Sequence, residues 1–235
     1  MNVLIVGGRT GLGQEYSQYC QEMGREFKII SSTASGKFNS HIIPCNLSEP
    51  QTVSATIQEL IDSQLKFDAI VFFQRSRHHN KNNDWQQEFD VSVTATRIFL
   101  KNAVHLLKDD GLRSVVAIGS IVTRFLTSSA EDSYQISKSA QLQLIRYYAR
   151  LHGSLGIRVN SISPFTFLKP ENQEYYLNNI KWTNEIHKRI PLSRNCTTSD
   201  VIDAIEFLIS DKSRMITGHE LVIDGGLSLS LGVDI

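Results

Sequence analysis

The sequence predicts an α/β protein whose single domain, residues 1–235, is a doubly wound parallel sheet, and three observations carry that prediction. Apolar, β-branched runs at 3–6, 27–30, 68–73, 114–118 and 157–162 lack polar alternation, the pattern of strands covered on both faces. Helical stripes such as Leu12, Tyr16, Tyr19, Cys20 and Met23, or Val53, Ile57, Leu60 and Ile61, lie between them. A glycine-rich turn joins the first run to the first stripe. Strand–helix alternation of this kind implies right-handed crossovers, with ligands received at the carboxyl ends of the strands.

Bulk properties narrow the function. At 235 residues, 41% hydrophobic and 20% charged, the chain is long enough for one well-packed domain and short for two. With 24 basic and 24 acidic residues it has no overall field that would favour nucleic acid or an anionic membrane. Cys20, Cys45 and Cys196 are odd in number and far apart, which suits neither a disulfide framework nor a zinc site and points to a reducing cytoplasm. No basic leader precedes the apolar run Val3 to Val6, and no run approaches a bilayer-spanning length, so a soluble, unprocessed protein is expected.

The first strand ends in Gly7-Gly8-Arg9-Thr10-Gly11-Leu12-Gly13. Glycines let a backbone turn tightly and approach a pyrophosphate, and the first amides of the following helix point at the anion. The spacing is G-x-x-x-G-x-G, different from the commoner G-x-G-x-x-G. The second strand ends near Ile30, where an NAD site usually carries an acid on the ribose hydroxyls. Ser31, Ser32 and Thr33 stand there instead, no acid occurs between Phe27 and Ser48, and Arg9 and Lys37 are available to a 2′-phosphate. These residues favour NADP, with NAD possible. A shorter run at 41–45 supplies another strand.

The run Ala69 to Phe73 leads into Gln74-Arg75-Ser76-Arg77-His78-His79-Asn80-Lys81. Adjacent histidines point apart on an extended chain and no further ligand has metal spacing, so no metal is expected. A solvated loop explains the segment most simply, and an anionic substrate is the alternative. A helix over Asp84 to Leu107 carries Ser92, and the strand 114–118 delivers Ser120 to the carboxyl edge.

A helix over 130–152 places Tyr134 and Lys138 on one face. Taken alone, the pair reads as a surface tyrosine beside a surface lysine. A free tyrosine ionises near pH 10, so holding a phenolate near neutrality takes roughly 4 kcal/mol. An exposed ion pair supplies about 0.2–1 kcal/mol. The site must therefore be enclosed and hold a second cation, which an oxidised nicotinamide would provide. Beyond the strand at 157–162, the aromatic residues Phe165, Phe167, Tyr175, Tyr176 and Trp182 suggest a substrate lid at about 165–190 or an interface. A helix at 198–210, a strand including Leu221 to Ile223 and the turn Asp224-Gly225-Gly226 close the chain.

Taken together, Gly7, Gly11 and Gly13, then Ser120, Tyr134 and Lys138, resemble the cofactor loop and the catalytic serine, tyrosine and lysine of the short-chain dehydrogenase/reductase family. Gly156 to Pro164 resembles its sixth-strand signature, and Ile216-Thr217-Gly218 through Asp224-Gly225-Gly226 its C-terminal one, so the likeness runs end to end. The resemblance implies a Rossmann-like fold and hydride transfer between a nicotinamide and a small-molecule carbonyl or alcohol. In it Tyr134 is the general acid or base, Ser120 polarises the substrate oxygen, and Lys138 binds the nicotinamide ribose and steadies the ionised tyrosine. The expected cofactor set is Gly7, Arg9, Thr10, Gly11, Leu12, Gly13, Ser31, Ser32, Thr33, Asn46, Leu47, Gln74, Tyr134, Lys138 and Pro164. Compact members form dimers or tetramers through helices corresponding to about 85–108 and 130–152, an expectation that a monomer in light scattering would remove.

This sequence departs from the family's pattern. Phe72-Phe73-Gln74-Arg75 replaces Asn-Asn-Ala-Gly, Ser92 stands where an asparagine holds a proton-relay water, Val6 replaces a threonine, and Phe165 replaces a glycine. The Ser120-to-Tyr134 spacing is one residue longer than usual. These departures keep open a nucleotide-binding protein with weak or no catalysis. A nucleotide-sugar epimerase or dehydratase fits less well, because such chains are longer and have different glycine spacing.

Overall fold

The computed structural model describes the chain apart from residues 33–37, 77–84, 129, 166, 169–177 and 230–235. Its centre is a seven-stranded parallel sheet of order β3-β2-β1-β4-β5-β6-β9. The strands are β1 (Asn2–Val6), β2 (Glu26–Ser31), β3 (Ile42–Pro44), β4 (Ala69–Phe72), β5 (Ser114–Ile118), β6 (Arg158–Pro164) and β9 (Glu220–Ile223). Two short strands, β7 (Phe167–Leu168) and β8 (Cys196–Thr197), pair separately. The helices are α1 (Leu12–Glu22), α2 (Pro50–Asp62), α3 (Trp85–Phe89), α4 (Ala95–Lys101), α5 (Ala103–Leu106), α6 (Asp132–His152), α7 (Ile180–Arg189) and α8 (Thr198–Ile209).

The unalternating strands are explained by two cores. In β1, Leu4 and Val6 pack with Val53 and Ile57 of α2, Phe99 of α4 and Ile145 of α6. Val3 and Ile5 alternate to the other face and join Leu12, Tyr16 and Cys20 of α1 with Val201, Ile205 and Leu208 of α8. Both sets of side chains are buried, so period-2 geometry appears without period-2 polarity. Winding proceeds outward in opposite directions from β1 and β4, which makes the crevice beyond their carboxyl ends the switch point of the sheet.

The sixth-strand signature is structural at two positions. Arg158 is buried and donates to the carbonyls of Leu208, Ser210 and Ser213, closing the carboxyl end of α8. Asn160 donates to the Ile216 carbonyl and accepts from the His219 amide, fixing the approach to β9. At its other end α8 begins with a capping box between Thr197 and Asp200.

The single helix expected over 84–107 is interrupted. Between α3 and α4 the chain widens into a π-helical turn, Asp90–Thr94, and Asn102 separates α4 from α5. Side chains turn back on the backbone at both places: Thr96 Oγ1 donates to the Ser92 carbonyl at 2.8 Å and Asn102 Nδ2 to the Ile98 carbonyl at 2.9 Å. Such back-bonding bends helices. Cys20, Cys45 and Cys196 are free thiols. Among the described residues no helix is long and apolar enough to cross a membrane.

Candidate active site

The glycine turn and the altered segment after β4 meet at the switch point. A Cβ on Gly7 would lie 2.6 Å from both the amide nitrogen and Cα of Gln74, and Gly7 has φ of 80°. A Cβ on Gly13 would lie 2.5 Å from Cα of Gly8, which brings α1 directly against the turn. Gly8, which the motif reading did not single out, is equally confined, with Ile5 Cγ2 2.2 Å from its virtual Cβ. Gly11 caps α1 and its carbonyl accepts from the Gln14 and Glu15 amides. Leu12 is buried in the core, whereas Arg9 and Thr10 are exposed on the turn.

Ser120 lies two residues beyond the end of β5. Its Oγ accepts from the Val122 amide at 3.4 Å and starts a short 3-10 turn, Ile121–Thr123. That turn is anchored from beneath. Thr123 Oγ1 bridges the Ser120 carbonyl at 2.9 Å and Glu220 Oε1 at 2.6 Å, while Ser163 and Arg124 also bond the Glu220 carboxylate. Burial opposes ionisation of Glu220, but the hydrogen bonds from Thr123 and Ser163 and the Arg124 charge outweigh it and hold the carboxyl below its usual range. The extra residue between Ser120 and Tyr134 is absorbed by a loop that Gln135 ties down, accepting from the Thr127 amide and donating to the Thr127 and Ala130 carbonyls.

Tyr134 and Lys138 occupy one face of α6, and the lysine is almost wholly enclosed, with 3% of its surface exposed. Its Nζ donates to the Ile118 carbonyl at 3.0 Å and to Gln141 Oε1 at 3.2 Å, tying α6 to the end of β5 beside Ser120. Burial pushes the ammonium down to about 8; the Glu88 carboxylate resists this shift and the Arg75 guanidinium adds to it. Arg75 lies over the Tyr134 ring, 4.9 Å from its centroid. This exposed guanidinium puts a positive charge of the chain's own beside the phenol, where the cation expected was a bound oxidised nicotinamide.

Beneath Lys138 lies a buried polar network that the sequence reading missed. Glu88, 1% exposed, accepts from Ser92 at 2.6 Å and Ser137 at 3.0 Å. Its signal in the sequence is a lone acid on the otherwise mostly apolar stripe Glu88, Val91, Ser92, Ala95 and Phe99. Ser92, at the position of the family's relay asparagine, donates its hydroxyl to Glu88, and its carbonyl accepts from Thr96 and Gln141. Glu88→Gln removes the charge that resists desolvation of Lys138, so the lysine should titrate below about 8. NMR of lysine labelled at its ε-carbon reads that midpoint, and an unchanged value would exclude Glu88 as the source of the effect.

The network also tests whether a dinucleotide fits. Thr96 donates its proton to Ser92, so it can only accept from the amides of Gln74, at 2.7 Å, and Gln141, at 3.2 Å. This fixes the orientation of the Gln74 amide and leaves its Oε1 buried with no hydrogen-bond partner among the described residues. A buried acceptor packed against the glycine turn suits a hydroxyl- or amide-bearing nucleotide.

Other expected cofactor residues divide. Ser31 is buried at the end of β2, Ser32 is exposed, Leu47 is buried, and Pro164 is the buried last residue of β6. Asn46 turns its side chain to Ser48 and Glu49 in the approach to α2. Thr33, Lys37, the segment Arg77 to Lys81, and Tyr175 and Tyr176 of the expected lid lie outside the described residues.

Comparison with known proteins matches this geometry. A family model described as enoyl-(acyl carrier protein) reductase covers residues 9–228. Secoisolariciresinol dehydrogenase of Forsythia intermedia is 26% identical over 251 aligned positions, covering 96% of this chain and 88% of that protein. The solved structure of 4-hydroxyisoleucine dehydrogenase complexed with NADH superposes with a TM-score of 0.84 at 25% identity, covering 97% of this chain and 98% of that one. The structure of ElxO with NADP bound gives 0.80 at 22% identity, covering 97% and 98%, a likeness of fold.

Proposed function

The chain belongs to the short-chain dehydrogenase/reductase family of oxidoreductases, and from that premise we propose that it interconverts a carbonyl and an alcohol with NADP as its preferred cofactor. The single observation that carries the reading is buried Lys138, one helical turn from Tyr134, bonded to the Ile118 carbonyl two residues before Ser120, at the sheet edge from which the glycine turn also leaves. A bound nicotinamide would supply or accept the hydride. Gly7 to Gly13 and Gln74 hold the dinucleotide, Ser120 positions the substrate oxygen, and Tyr134 exchanges a proton with it. Arg75 over the ring and Lys138 one helical turn away place positive charge around the phenol. Glu220 acts through Ser120 by fixing the turn that presents it.

NADP is preferred because the end of β2 offers Ser31 and Ser32 rather than a carboxylate that would repel a 2′-phosphate, and Arg9 is exposed on the adjoining turn. Thermal unfolding with each nucleotide tests this. NADP should raise Tm more than NAD at equal concentration, and a larger shift with NAD, or none with either, would sink the assignment. Self-association would use α6, whose Ile136, Tyr147 and Leu151 are exposed. A reducing, cytoplasmic setting fits the three free thiols.

A second reading, nucleotide binding with little catalysis, rests on the commitment of the Ser92 hydroxyl to Glu88. The tyrosine substitution taken up in the Discussion separates the two.

A further inference from the structure

Arg75 stands three residues beyond the end of β4. Its guanidinium carbon lies 4.9 Å from the centre of the Tyr134 ring, yet the residue is exposed. Among the described residues no carboxylate forms an ion pair with it. The stacking contact is a weak one at an exposed position, so it leaves the planar donor fork of the guanidinium available. The neighbouring carboxylate, Glu88, is buried and hydrogen-bonded to Ser92 and Ser137. Lys138 is buried on Ile118 and Gln141. Arg75 and Lys138 repel one another, and at the lysine the buried Glu88 carboxylate more than offsets the Arg75 charge.

We infer that Arg75 determines substrate specificity by receiving a carboxylate carried by the carbonyl or alcohol substrate close to its reacting carbon. The inference rests on the reading that Tyr134 exchanges a proton with the substrate oxygen. A guanidinium stacked on that same ring reaches an anion only if it lies a short distance along the substrate, which specifies short-chain oxo or hydroxy acids. Two parallel N–H donors match a carboxylate in geometry and charge and have no counterpart for a neutral ketone or amide. Binding there also neutralises Arg75, removing one of the two influences that lower the Lys138 ammonium.

The test uses the full chain saturated with NADP, at constant ionic strength, titrated calorimetrically with malonate or with its neutral match malonamide. Wild type should bind malonate about tenfold or more tightly than malonamide. Arg75→Gln should abolish that preference, and Arg75→Lys should restore part of it because an ammonium lacks the bidentate fork. The Lys138 NMR midpoint should rise above about 8 when malonate binds to wild type and stay fixed in Arg75→Gln. Absence of malonate preference in wild type, or its survival in Arg75→Gln, overturns the inference. So does loss of NADP affinity in Arg75→Gln, which would assign the guanidinium to a cofactor phosphate.

Turnover of acetoacetate against acetoacetamide separates this inference from the reading beneath it. Preference for the acid that disappears in Arg75→Gln supports both. Turnover indifferent to Arg75 overturns the specificity role and leaves the oxidoreductase reading intact. Arg75-dependent malonate binding in a protein that reduces no carbonyl keeps the anion site and removes the assigned reaction.

Discussion

Tyr134→Phe should lower kcat by about 10²–10⁴-fold while leaving the fold and nucleotide binding in place. The substitution removes one oxygen atom from a residue at the half-buried face of α6, and none of the described hydrogen bonds uses that hydroxyl as a structural tie. Its loss therefore changes chemistry more than packing. The ring remains beneath the Arg75 guanidinium, so the stacking contact survives. Because proton exchange strengthens only as the reaction proceeds, kcat and kcat/KM should fall together with KM little changed. The NADP-induced rise in Tm serves as the control for an intact cofactor site. Turnover surviving undiminished in Tyr134→Phe would refute the assigned mechanism.

Gly7→Ala should be among the most damaging single-methyl changes in the chain. The new Cβ would stand 2.6 Å from the amide nitrogen and Cα of Gln74, backbone atoms that cannot swing aside. At φ of 80° an L side chain is strained in addition. Strain of roughly 1–2 kcal/mol and overpacking of roughly 1–3 kcal/mol act together. For a domain of this size each kcal/mol lowers Tm by roughly 2–4 °C. A fall of about 4–20 °C is expected, accompanied by loss of the NADP-induced shift, because relief of the clash must part the glycine turn from the end of β4. Gly153→Ala is the matched control: a Cβ there meets nothing within 4 Å, at a helical φ of −58°, so stability should hold or rise. Equal effects at the two glycines would show that the close approach at the switch point does not govern stability.

Burial of Lys138 works against stability. Its ammonium titrates at about 8 in the fold against an ordinary 10.5. Below about 8 both folded and unfolded chains carry the proton, and the burial penalty is fully present; between about 8 and 10.5 the unfolded chain holds more protons, so this residue's penalty is relieved as pH rises. At neutral pH the lysine therefore costs the fold stability, even with Ile118 and Gln141 accepting its protons.

Local rules determined much of this protein. Unbroken β-branched runs could be satisfied only by strands covered on both faces, and Val3 and Ile5 do face one core while Leu4 and Val6 face the other. The glycine spacing marked the turn after β1, and the helical offset placed Tyr134 and Lys138 on one face. These features depend on neighbours within a few residues, so the sequence alone exposes them. Tertiary structure decided what no local pattern encodes: that Gln74 lies against Gly7, that Glu88 from one helix meets Ser137 from another, and that Arg75 covers Tyr134. Each joins segments far apart in the chain, and a charge or amide has no periodicity that announces its partner. The Tyr134–Lys138 pair could be found from spacing, but its surrounding charges emerged only when the sheet brought β4, α3 and α6 to one edge.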